Sequence, residues 1–256
     1  MKTILSAALG AGLALWALAA PTLAQTLKIG TEASYKPFAW VLPSGELTGF
    51  DIDIANALCK QLGATCEIVN QSFDGLIPAL NAKKIDAIVA SMFITPEREE
   101  AIAFAGPYYS VPALFVTAKD SGIEISEDGL RRKNVGVQRG TTMADYIKAT
   151  YPRARVQFYD TLDAANLDLA SGRVDVVFAD SVPLQEFLAS PDGAGFAPVG
   201  EPVYDPEILG SGAGIGLRKD DAELKQKFND ALAALLASGE YKTINDKYMS
   251  VDIAPK

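Results

Sequence analysis

Two stretches of the chain put polar side chains where a sheet protein can recognise a small molecule. Leu80-x5-Asp86-Ala-Ile-Val-Ala-Ser91 is matched by Leu169-x5-Asp175-Val-Val-Phe-Ala-Asp180, with a basic–apolar pair before each aspartate (Lys84-Ile85 and Arg173-Val174). Each reads as a helix end, a Lys/Arg-rich turn and a buried strand of the parallel type. Ser91 and Asp180 therefore hold equivalent positions at strand carboxyl ends, where open α/β sheets bind ligands. The repeat predicts two similar lobes facing each other, with these two residues on opposite walls of one cleft. Met92 and Phe93 follow Ser91 at the same strand end and are candidate ligand-binding residues with it. Thr95-Pro96-Glu97-Arg98 then opens a helix, with Thr95 as N-cap and Pro96 at its first position. Glu32 and Tyr35 follow another short strand, residues 27–30, and so also stand at a carboxyl end.

The chemistry available to such groups is binding. The chain contains no histidine, hence no Ser–His–acid or Cys–His set, and two cysteines alone cannot complete a zinc site. The formal net charge is −9 and no run of Lys or Arg forms a basic stripe, so nucleic acid and anionic lipid are poor partners.

The elements that position these groups begin after a leader. Lys2 precedes an uncharged, mostly apolar run over residues 4–20, and Pro21-Thr22-Leu23-Ala24 carries small residues where signal peptidase needs them. A single-span anchor is the competing reading. The run is a little short for a bilayer, which takes about 20 apolar residues, so residues 1–24 are read as a cleaved signal peptide of an exported protein. Cys59 and Cys66 are the only cysteines, at a predicted helix end and strand start. An oxidising compartment and a tight corner suit a disulfide, which for so short a loop contributes at most about 3 kcal/mol.

Strands alternate with helices. Residues 52–61 read as a helix with Asp51 as N-cap and Gly63 as its stop, 66–69 as a strand, and 73–84 as a turn and helix. In the second half, 111–117 and 135–138 read as strands and 141–149 as a helix. Residues 157–159 follow as a strand and 162–170 as a helix. Gly212 to Leu217 is a glycine-rich strand, not a phosphate loop, because its spacing is wrong and no helix follows at once. A helix over 221–238 and a turn over 239–248 close the chain. The expected architecture is α/β: a first lobe from 25–110 with 206–256, a second from 111–205, each a βαβ sheet flanked by helices. Two crossings, near Ser110–Val111 and Val203–Pro206, form the hinge.

T-E-A-S-Y-K-P-F (31–38), G-F-D-I-D-I-A (49–55), the Cys59/Cys66 pair, F-D-G-L-I-P-A-L (73–80), K-K-I-D-A-I-V-A-S (83–91), T-P-E-R (95–98), V-G-V-Q-R-G-T-T (135–142) and G-I-G-L-R-K-D-D (214–221) run in order along nearly the whole mature chain. Together they resemble the periplasmic amino-acid-binding proteins of ABC importers, a two-lobed type II fold. The branch that binds lysine, arginine, ornithine or histidine is nearest, and opine-binding relatives look similar. The resemblance implies a monomeric receptor in the periplasm of a Gram-negative cell, which hands a basic amino acid to the membrane subunits of a permease, with no cofactor and no reaction of its own.

It also implies roles. Arg98, a planar fork, would hold the ligand carboxylate, helped by Ser91 and the helix start at Thr141 and Thr142. Asp180 would meet the ammonium from the opposite lobe. Tyr35 and Phe73 would sandwich the side chain, and Glu32 would meet its cationic end. Simpler readings stand beside these: Arg98 in surface pairs with Glu99 and Glu100, Glu32 wet or paired with Lys36, and Tyr35 and Phe73 each packed under its own loop. Asp86 and Asp175 read as turn residues, and Asp51 and Asp53 as helix caps. Phe93 departs from the branch, which commonly has a hydroxyl residue there. Rivals are an opine receptor, a prephenate or arogenate dehydratase-like enzyme with an acid as proton donor, and the sensing domain of a membrane receptor, which would need a downstream span.

Overall fold

A computed structural model describes residues 26–255; the signal-peptide expectation falls outside that range. The chain begins with strand β1 (Thr26–Thr31) and a small antiparallel sheet, β2 (Ser34–Tyr35), β3 (Ala39–Val41) and β4 (Leu47–Thr48). Next come α1 (Phe50–Gln61), β5 (Thr65–Asn70), α2 (Leu76–Asn81) behind a single 3-10 turn, β6 (Ala87–Ile88), α3 (Pro96–Ala101) and β7 (Ala103–Tyr109). The second half holds β8 (Ala113–Ala118), β9 (Asn134–Gln138), α4 (Thr142–Thr150), β10 (Arg155–Tyr159), α5 (Leu162–Ala170), β11 (Val176–Asp180), α6 (Ser181–Ala189) and β12 (Phe196–Val203). The last elements are β13 (Ala213–Leu217), α7 (Ala222–Ser238) and α8 (Glu240–Tyr248).

Two five-stranded sheets result, ordered β5-β1-β6-β13-β7 and β10-β9-β11-β8-β12. Each is a parallel trio extended by one antiparallel strand (β13 or β8), with an outer strand (β7 or β12) antiparallel to that one. Each sheet buries its own apolar core. Leu27, Ile29, Leu58, Phe228 and Leu232 pack on one face of the first, and Phe115, Val135, Ile147 and Phe178 on one face of the second. The two sheets share no strand.

Local departures from the sequence reading have physical causes. Helix α1 starts one residue before Asp51. Its cap is Gly49 at φ 132°, where a Cβ would stand 2.2 Å from the Phe38 carbonyl oxygen, so only glycine fits. Asp51 caps nothing; it is fully buried. Asp53 accepts from Lys247 and the Tyr248 hydroxyl (2.7 and 2.8 Å), tying α1 to α8. Residues 240–248 are a helix and not a turn. Tyr241, Ile244 and Asn245 are buried at helical spacing while the rest of α8 is polar, which hides its pattern. Helix α2 stops at Asn81, three residues short of Lys84. Other boundaries follow the sequence: Thr95 accepts from the Arg98 amide (3.2 Å) behind Pro96, and Gly239 ends α7 in the left-handed region at φ 78°. The Cys59–Cys66 disulfide closes the α1–β5 corner, with 5.9 Å between Cα atoms.

Candidate functional site

The carboxyl ends of β1, β6, β9 and β11 converge on one cavity between the lobes, about 460 Å³ in volume with its mouth. Glu32, Tyr35, Phe73, Ser91, Phe93, Arg98, Thr141, Thr142 and Asp180 all line it. Met92 does not: its side chain turns the other way and packs with Leu76, Leu80, Ile102 and Phe104. Gln138 lines the cavity too, and sequence reasoning passed over it because a glutamine ending a strand looks like surface decoration. The signal lay in its position, at the carboxyl end of β9.

Arg98 leaves the first turn of α3 and turns inward. One guanidinium nitrogen donates to the Phe93 carbonyl (2.7 Å) and another crosses the cleft to the Gly140 carbonyl (3.1 Å). The Phe73 ring lies 5.5 Å from the guanidinium carbon. Among the described residues no carboxylate lies within ion-pair distance of Arg98, so the surface pairs with Glu99 and Glu100 do not form. Burial pulls its pKa down to about 10, against the pull of Asp145, Asp180 and Glu97. Arg98 is half-buried, and a partly desolvated cation without an anion is costly unless one is supplied.

Asp180 stands at the N-cap position of α6 but makes no capping bond. Its carboxylate faces the cleft, where the Tyr35 hydroxyl donates to it from the other lobe (2.7 Å). Burial lifts its pKa to about 6, and the Tyr35 hydroxyl and Arg98 hold it down. Tyr35 also stacks on Phe38, 6.0 Å between centroids. Its ring thus packs under its own loop and spans the cleft at once.

Glu32 is buried at 6% exposure. It accepts from the Ser34 hydroxyl and from Gln138 Nε2 across the cleft (3.3 Å). Burial raises its pKa first, and the charge of Asp163 adds to the rise. Lys36 is not its partner, because that ammonium pairs with Glu186 of α6 (3.1 Å). At the start of α4 the Thr141 hydroxyl donates to the Gln138 carbonyl (2.7 Å) and that of Thr142 to the Leu209 carbonyl (3.3 Å). Neither hydroxyl caps α4, and the uncapped amides of its first turn suit an anion. Phe93 sets its ring edge-on to Tyr109 (5.8 Å) and gives its carbonyl to Arg98. Through that carbonyl it orients the arginine, a role open to any residue type, and its side chain has no hydrogen-bond donor.

The sum is a cavity with one guanidinium and two carboxylates on its walls. Its complement is an anion next to a cation, with a second cation farther along. Among the described residues no group of three His, Cys, Asp or Glu could hold a metal, and no helix is long and apolar enough to cross a membrane.

Residues 27–251 match the family described as bacterial extracellular solute-binding proteins, family 3. The chain is 46% identical over 252 residues to the L-arginine-binding protein of Pseudomonas aeruginosa, covering 96% of this chain and 97% of that one. A Salmonella typhimurium periplasmic binding protein described as highly specific for arginine superposes with a TM-score of 0.82 at 39% identity, covering 89% of this chain and all of that one. An ancestral amino-acid-binding protein, described as a precursor of cyclohexadienyl dehydratase, superposes at 0.79 with 32% identity, covering 87% and 95%.

Proposed function

The chain belongs to the bacterial extracellular solute-binding proteins of family 3, and from that premise we propose that it captures L-arginine in the periplasm and presents it to an ABC permease. The charge pattern of the cavity carries this reading. Arg98 meets the carboxylate, Asp180 the ammonium and Glu32 the distal cation. A neutral side chain would leave Glu32 buried without a counter-charge, at a cost of several kcal/mol.

A guanidinium suits the distal end better than an ammonium. It presents five donors in a plane. Gln138 spends its Nε2 on Glu32 and on the Asp160 carbonyl, which leaves its carbonyl oxygen to accept beside the Glu32 carboxylate. The names of the relatives above point to the same ligand.

The hinge lies in the two links between the sheets, residues 110–112 and 204–212, which divides the chain as 25–110 with 206–256 and 111–205. Arginine bridging the lobes adds its contacts to Tyr35–Asp180, Arg98–Gly140 and Lys36–Glu186. It stabilises the closed arrangement because only that arrangement offers both ends of the site. No chemical step is assigned, since both acids that could donate a proton face partners that a zwitterion would satisfy.

Calorimetric titration with arginine, lysine, ornithine, histidine, octopine and glutamine tests the reading. Arginine should bind tightest and glutamine roughly ten- to a hundredfold more weakly, the value of one charged hydrogen-bond set. Equal affinity for glutamine would remove Glu32 from the argument, and turnover of prephenate would overturn the receptor reading.

A further inference from the structure

A third buried carboxyl lies directly behind the cavity wall. Asp51, in the first turn of α1, is wholly inaccessible. Its Oδ2 accepts from the Ser91 hydroxyl (3.0 Å) and its Oδ1 from the Tyr108 hydroxyl (2.8 Å). The Tyr108 oxygen in turn accepts from the Ser91 backbone N–H (3.0 Å). Ser91 is thus held at both its amide and its hydroxyl, at φ 52°, a left-handed conformation that serine rarely adopts. Its side chain lines the cavity in which Arg98 awaits a carboxylate.

The hydrogen count of this cluster matters. A serine hydroxyl has one proton to give. While Asp51 is a carboxylate, that proton is committed to Asp51, and only oxygen lone pairs of Ser91 face the cavity. We propose that Asp51 takes up one proton from solvent when the ligand's carboxylate arrives, and that this proton turns Ser91 into a donor toward the ligand. In the protonated arrangement Asp51 Oδ2–H donates to Ser91 Oγ, and Oδ1 still accepts from Tyr108. The freed Ser91 O–H swings to the ligand carboxylate. Asp51, Ser91 and Tyr108 each keep their partners, and the charge behind the wall vanishes as a like charge appears in front of it.

The surroundings make the uptake possible near neutrality. Burial lifts the Asp51 pKa to about 7, and Asp180 across the cleft adds to the rise. The other titratable groups that feel it are Tyr108 and Tyr109 of β7 and Tyr241 of α8. All three phenols are pushed upward and stay neutral, and no lysine or arginine pairs with Asp51 among the described residues. A ligand carboxylate raises its proton affinity further, and by reciprocity the proton raises the ligand's affinity.

The inference rests on the amino-acid reading of the site, and one set of titrations separates the two. L-arginine is titrated calorimetrically near pH 8 in phosphate and in Tris, whose ionisation heats differ. Uptake of a substantial fraction of a proton per arginine is expected, with Kd weakening roughly fivefold or more from about pH 6.5 to 8.5. Asp180 is mostly ionised across that range and contributes little. Asp51→Asn should abolish the uptake and flatten the pH profile. Ser91→Ala, a smaller disturbance should Asp51→Asn fail to fold, should show a larger deficit at pH 6.5 than at 8.5. Binding with no proton exchange, an unchanged uptake in Asp51→Asn, or a Ser91→Ala deficit equal at both pH values would overturn the inference and leave the receptor reading standing. No binding of arginine at all would instead defeat the receptor reading.

Discussion

Asp86 and Asp175 make the same pair of bonds in the two lobes. Asp86 accepts from the Lys28 N–H (3.0 Å) while its own N–H donates to the Lys28 carbonyl (2.7 Å). Asp175 does likewise with Asn134, at 2.7 and 2.9 Å. Each closes a ring between two neighbouring parallel strands, β1 and β6 in one sheet and β9 and β11 in the other, and so fixes their register. At the other end of these strands the equivalence stops. Ser91 sits in the left-handed region with its hydroxyl on Asp51, and the chain wanders four residues before α3 begins. Asp180 runs straight into α6 at φ −57°. The ends of the strands away from the cleft hold the fold and stay alike, whereas the ends that face the cleft have diverged in charge. The first lobe brings a guanidinium to the cleft and the second a carboxylate.

That division can be broken at its charges. Arg98→Ala and Asp180→Ala should each weaken arginine binding by about a hundredfold or more, because truncating one side of a buried charge pair costs about 2–5 kcal/mol. The thermal transition of the free protein should change little for Arg98→Ala, whose guanidinium holds no buried anion. Unchanged affinity in calorimetry would take these residues out of the site. Glu32→Gln sharpens the comparison within the first lobe. Arginine should lose roughly ten- to a hundredfold and glutamine less than about threefold, and equal losses would sink the charge-matching argument.

Much of this geometry was legible in the residues. The repeat located Ser91 and Asp180, and helix-start chemistry located Arg98. The two sheets were visible only as βαβ units, because β7, β12 and the small β2–β4 sheet carry Gly, Pro or polar residues that mask alternation. Met92 looked like a wall residue, since sequence cannot say which way a loop side chain turns. Asp51 looked like a cap because an acid at the start of a helix usually is one. That it is buried follows from Gly49 letting the chain pass tight against Phe38, a contact 11 residues away that no local pattern encodes. Lys36 lay equally close in sequence to Glu32, yet its partner is Glu186, which only the meeting of the lobes brings near.

A weaker effect comes from titration. On the proposed binding mode the ligand's ammonium selects ionised Asp180, whose pKa in the free protein is lifted to about 6. Below that pH the group must lose a proton before it can bind, so Kd should rise by about tenfold per pH unit as pH falls from 6. With the opposite trend at Asp51 above 7, arginine binding should be tightest between about pH 6 and 7. Asp180→Asn should bind weakly throughout and lose the acid limb. A wild-type profile that is flat down to pH 4.5 would mean the carboxylate is not the ammonium's partner.

The smallest expected effect tests the repeat itself, at a position far from any ligand. Lys83 N–H donates to the Leu80 carbonyl and Gly172 N–H to the Leu169 carbonyl, both at 3.0 Å, so the two turns between helix and strand close in the same way. Both residues are left-handed, at φ 58° and 73°. Glycine takes that conformation freely, while a side chain costs about 1–2 kcal/mol there, partly offset by the greater chain entropy that glycine loses on folding. Lys83→Gly should therefore raise stability in urea by up to about 1 kcal/mol, and Gly172→Lys should lower it by about the same. A Cβ at Gly172 meets nothing within 4 Å, so its cost is conformational and not steric. A loss for Lys83→Gly would show that the lysine side chain does work at that corner which the second lobe does without, and the two turns would then be alike in shape only.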